Sequence, residues 1–198
     1  MRLLGIWFAI FFLFASSALA SQFNTEVLFE FEKLKMMLKE SPELQERYNI
    51  DLIDADIDRL ELSDSPHQLW MMEEPRALHR SDLLSGIARR SDSLFYPITL
   101  DGDIVIMILV EPKIDGFGYH YLYGFPELAQ RINEAKRTFR LEKRKISHKI
   151  IASISTRELF LETDRNTLIS INVSRKLDRL KEERISAVAD RIKLLTNN

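Results

Sequence analysis

Tyr119-His120-Tyr121-Leu122-Tyr123 is the stretch whose residue types and spacing point most directly at chemistry. Extended backbone sends alternate side chains to opposite faces, so Tyr119, Tyr121 and Tyr123 line one side of a strand and His120 and Leu122 the other. Three phenols in a row make a flat amphipathic surface suited to a sugar, a peptide or a macrocycle. Tyr also ligates haem iron, and a second phenol nearby could hydrogen-bond the ligand. Ordinary strand composition accounts for the row more simply, because Tyr is β-prone and its hydroxyl tolerates a sheet margin. Among functional readings a partner-binding face suits the row best, and no cofactor is expected.

The other reactive types do not assemble into a signature. The histidines are His67, His79, His120 and His148, and no two have the i, i+4 spacing of a helical zinc site. Asp54, Asp56 and Asp58 open like a calcium loop, but the sixth and twelfth positions, which need Gly and a bidentate Glu, are Arg59 and Ser65. That match fails, and the run reads as a solvated acidic face. No Gly-x-Ser-x-Gly is present, and with no Cys there is no thiolate nucleophile or thiolate metal site. Catalysis is left one route, His79 or His120 meeting carboxylates in the fold.

Charge is uneven along the chain. From Glu26 to Asp64 there are twelve acidic and five basic residues, whereas Arg131 to Lys149 holds eight basic residues against Glu134 and Glu142. Phe139 is the one aromatic interleaved with the basic run, too little stacking surface for nucleic acid. An acidic partner or a membrane surface suits Arg137, Arg140 and Arg144 better, unless the acidic and basic segments neutralise one another.

The elements that must position these residues follow from periodicity. Val27, Leu28, Phe31, Leu34, Met37 and Leu38 recur at threes and fours, predicting a helix from Asn24 to Glu40. Ser41-Pro42 opens a second, shorter one to about Tyr48. Leu52 to Asp58 alternates like a strand, with Ile53, Ala55 and Ile57 on one face, yet Ile53, Ile57, Leu60 and Glu61 also suit a helix, which is the reading preferred. Ser63 to Arg80, with Pro66 and Pro75 around Trp70, reads as an irregular connection pinned by a buried Trp, and Ser81 to Arg90 as a short helix. Phe95–Leu100 and Asp103–Glu111 flank Asp101-Gly102, a two-residue hairpin turn. The run from Ile104 to Val110 is apolar on both faces and should be covered on both. A turn over Lys113–Gly118, a strand from Tyr119 to Tyr123, and a helix from Pro126 carrying Leu128, Ile132, Ala135 and Phe139 follow. Strands over Lys149–Ser155, Glu158–Thr163 and Thr167–Ser174 then precede a closing helix from about Arg175 to Thr196. Its stripe is Leu177, Leu180, Ile185, Val188, Ile192 and Leu195.

The fold class is thus α+β, with an antiparallel sheet of about six strands in βββα-βββα order, helices on one face, and a helical N-terminal portion. The two segments show no residue-level match, so no repeat is read. Residues 21–90 form the helical portion and 91–198 the sheet portion of one domain, after a leader at 1–20. That leader carries Arg2, an apolar run from Leu3 to Phe14, and small residues at Ala18 and Ala20. Cleavage between Ala20 and Ser21 removes Arg2 and takes the formal charge from −2 to −3. With 45% hydrophobic residues and no Cys, the mature chain has material for a core without disulfides, which fits a bacterial periplasm. The function expected is that of an exported, periplasmic or secreted, non-catalytic binding or accessory protein for a macromolecule or ligand. Its partner would be an envelope protein, a peptide or a glycan. The alternative is a cell-envelope hydrolase or lyase using His79 or His120.

Overall fold

The computed structural model describes residues 25–47, 50–73, 83–113, 116–120, 126–141, 149–164, 166–172 and 180–196, with backbone alone at 47, 112–113, 116–120 and 164. Helix α1 covers 25–40, followed by α2 (Pro42–Arg47) and α3 (Asp54–Asp58). The strands are β1 (Glu61–Leu62), β2 (His67–Met72), β3 (Ala88–Leu100), β4 (Asp103–Lys113), β5 (Gly116–His120), β6 (Lys149–Ser153), β7 (Glu158–Asp164), β8 (Thr167–Ser170) and β9 (Glu182–Arg184). Helix α4 (Pro126–Phe139) follows β5, and α5 (Ile185–Thr196) follows β9.

All of these strands join one sheet, in the order β5-β4-β3-β2-β6-β7-β8-β9, with β1 beside the far end of β3. Every pairing is antiparallel except β2 with β6. The sheet is therefore two four-strand meanders joined through their parallel first strands, and each meander ends in a helix. A two-fold axis along the strands would generate this arrangement and would place the two helices on opposite faces.

The core obeys that expectation. Helix α4 packs Leu128, Ala129, Ile132 and Ala135 against Phe95, Met107, Ile150 and Leu161. On the other face α5 packs Ile185, Val188, Ala189 and Ile192 on Ile151, Phe160 and Leu168. Beside α5, α1 covers Ile98, Ile106, Ile108 and Val110 with Val27, Phe31, Leu34 and Leu38. Strand β4 thus feeds both faces, as its two-sided apolar sequence requires. Helices lie on both faces rather than one, because a sheet apolar on both sides must be covered on both.

The β3–β4 turn is the one expected: Asp101 and Gly102 both have positive φ, 52° and 87°, as a two-residue hairpin of matching twist demands. Just beyond it the register shifts at Thr99, leaving Val105 as the extra residue of a bulge. Pro97, inside β3, falls level with the break between β1 and β2, where its missing N–H leaves no ladder bond unmade; its carbonyl accepts from Ser63 N–H at 2.9 Å.

Four elements depart from the periodicity. The segment read as an irregular connection contains β2, a central strand, and Trp70 is half-buried rather than a buried pin. The short helix before β3 is a single 3-10 turn at Leu84–Gly86, and β3 begins at Ala88. The strand placed at Tyr119–Tyr123 starts earlier, at Gly116, within the stretch read as a turn, and is described as far as His120. The closing helix begins at Ile185, after β9. Among the described residues the strands therefore number nine where about six are expected, while the α+β class and the mostly antiparallel sheet are as read.

Candidate functional site

Strand β5 is an edge of the sheet: among the described residues it pairs with β4 and with no other strand. Tyr119 stands opposite Val110, and His120 opposite Leu109. Val110 belongs to the cluster under α1, and Leu109 to the one under α4. Of the tyrosine row, Tyr121 and Tyr123 lie outside the described residues. So do His79, His148 and Arg144.

The sheet's other open stretches are closed by specific side chains. Among the described residues β5 pairs with Leu109 to Lys113 of β4, and the outward backbone of β4 near the turn takes another partner. Asn133 of α4 supplies it: its Nδ2 donates to the carbonyl of Ile104 at 2.7 Å, and its Oδ1 accepts from Ile104 N–H at 3.2 Å. At the opposite margin, β9 reads Glu182-Glu183-Arg184, charges that discourage a further strand. Strand β5, Gly-Phe-Gly-Tyr-His, carries neither charge nor proline.

The basic helix is partly spent on the fold. Arg137 donates to Asp103 at 2.7 Å, at the foot of the β3–β4 turn. Arg131 is buried and pairs with Glu134 at 2.7 Å. Arg140 is exposed, just past the end of α4, with φ of 50°. Gln130, Asn133, Glu134, Arg137 and Thr138 border an open depression of about 370 Å³ on the outer face of α4. Among the described residues, carboxylates of the acidic segment find cations within it, Lys39 on Asp58 at 2.5 Å and Arg59 on Asp56 at 3.3 Å. Arg59 also pairs with Asp101 at the hairpin turn. The Lys39 hydrogen bond holds the Asp58 carboxyl below its usual value, and Asp58 in turn raises Lys39. No three metal-ligating side chains converge among the described residues, at the aspartate run or elsewhere.

Periodicity leaves two buried carboxylates unseen. Glu158, at the start of β7, accepts from Arg191 Nη1 at 2.8 and 3.0 Å and from the Thr156 hydroxyl at 2.9 Å. It is almost wholly buried, and with Arg191 it ties the β6–β7 turn to α5. At the other end of β7, buried Glu162 pairs with Lys149 at 2.8 Å, and that ammonium sits 5.3 Å from the centre of the Trp70 ring. A carboxylate at each end of a short apolar run, Leu159-Phe160-Leu161, is the signal available in the sequence, and Glu158 and Glu162 carry it. His67 is buried on β2 against Phe95 of β3.

No family model matches this chain, and no curated protein or solved structure matches it either.

Proposed function

We propose that this protein is exported to the periplasm and acts there as a non-catalytic binding or accessory protein, engaging a macromolecular partner along β5 and the tyrosine segment that continues it. The leader at 1–20 supports the export. The observation that carries the binding is the contrast between margins: the start of β4 is capped by Asn133 and β9 is charged, whereas β5 presents an aromatic strand with one paired side among the described residues. An open edge of this kind accepts an extended segment of another chain through main-chain hydrogen bonds, with aromatic side chains setting specificity. Arg140 and Arg144, downstream of α4, would add charge recognition for an acidic partner.

The test is a photo-crosslinking residue placed at position 119 and, as control, at position 184 on the charged margin, in the exported protein within cells. A discrete adduct at 119 that is absent at 184, identified by mass spectrometry, supports the reading. Equal labelling at both positions, or none at 119, overturns it.

A further inference from the structure

We propose that the end of the sheet at which β2 and β6 finish is a docking surface for an anionic lipid membrane. The register brings three elements to that end: Met71 pairs with Ala152, Met72 with Ala88, and Glu73 N–H donates to the carbonyl of Ile87. The β6–β7 turn and the 3-10 turn that enters β3 therefore leave the sheet at the same end, on either side of β2. Helix α5 arrives at the same end, since Arg191 already reaches Glu158, the first residue of β7.

Helix α5 then outruns the sheet. Its buried stripe, Ile185, Val188 and Ile192, continues at the same spacing to Leu195, but among the described residues the last turn is left open and Leu195 is 57% exposed. Leu194 beside it is 70% exposed, Ile154 at the tip of the β6–β7 turn 75%, and Leu83 before the 3-10 turn 61%. Half of the large apolar side chains exposed in the described residues thus crowd one end of the sheet. Exposed Arg157 lies three residues from Ile154, and Lys193 adjoins Leu194. Asp190 sits a turn further from the tip.

The magnitudes favour lipid over protein. At roughly 100 Å² each, four such side chains offer roughly 400 Å² of apolar surface. A stable protein interface needs about 800 Å² per partner. Apolar tips flanked by cations need no shaped partner when the other surface is a bilayer margin with anionic headgroups.

The absence of Cys from the chain makes the test direct. Ile154→Cys, Leu194→Cys and, at the opposite end of the sheet beside Arg137, Thr138→Cys each carry one environment-sensitive fluorophore on the exported protein. Vesicles of equal parts phosphatidylglycerol and phosphatidylcholine should shift emission to the blue at 154 and 194 and leave 138 unchanged. Pure phosphatidylcholine should bind roughly tenfold more weakly. Absence of the shift, an equal shift at 138, or indifference to lipid charge overturns the proposal. A shift given by a periplasmic extract and not by vesicles also overturns it, in favour of a protein partner. As a second arm, the doubly substituted Ile154→Asp, Leu194→Asp protein should melt as wild type, because both side chains are exposed, and should lose roughly tenfold or more in vesicle affinity. Unchanged affinity counts against the proposal.

Discussion

Asn133→Ala tests the claim that α4 stands in for a missing strand at the start of β4. In a two-residue hairpin the residues flanking the turn, Leu100 and Asp103, pair through hydrogen bonds, and the next pair points its backbone outward. Ile104 belongs to that next pair, opposite Thr99, and is 3% exposed, so its N–H and carbonyl meet little water. Removing the Asn133 amide leaves both groups without partners. A buried backbone group so stranded costs about 1–3 kcal/mol. Asn133 is itself only half-buried, so water enters part of the space and the total falls to about 2–3 kcal/mol. For a chain of this size that lowers Tm by about 4–12 °C. Thr138→Ala, on the exposed side of the same helix, should change stability by less than about 0.5 kcal/mol. Thermal melts measure the loss, and amide exchange locates it: Ile104 N–H should exchange faster in Asn133→Ala, with Met107 and Ile108 little changed. A Tm within about 1 °C of wild type together with unaltered Ile104 exchange would refute the reasoning.

Ile106→Asp should prevent folding, since Ile106 is 1% exposed between Ile98 and α1 and an unpaired carboxylate there costs at least about 3 kcal/mol beyond the lost burial. Asp56→Ala should cost less than about 1 kcal/mol, because it loses one partly exposed contact with Arg59; equal melts for the two would dismiss the two-faced role of β4. Burial raises the Tyr96 phenol above its ordinary value, so the unfolded chain releases that proton first, near pH 10, and stability falls as pH rises from there. Tyr96→Phe should show a shallower alkaline loss in denaturant titrations across that range, and an identical slope would exclude Tyr96 as its source. Tyr121→Ala should leave the melt nearly unchanged yet sharply reduce recovery of partner in a pull-down at matched folded concentration. A destabilisation of about 3 kcal/mol or more would instead mark Tyr121 as core.

What the sequence by itself determined is local. Asp101-Gly102 specifies its turn because only small or amide-like residues sit easily at two successive positive φ angles. The stripes of α1 and α4, and the two-sided apolar run of β4, follow from a period that one segment contains in full. Strand β2 was not legible in this way. Trp70-Met71-Met72 has no alternation, and its extended state comes from β3 on one side and from β6, some eighty residues away, on the other. Strand β9 reads as helix, because Glu182-Glu183-Arg184 suits one; it is extended because β8 offers a ladder. Composition likewise singles out Tyr119 and the arginines of the basic helix. Which strand is left without a neighbour, and which cation is already held by Asp103, depends on long-range pairing that no single segment encodes. Local backbone preference is worth tenths of a kcal/mol per residue, whereas a paired and covered strand gains several, so the tertiary structure decides wherever the two disagree.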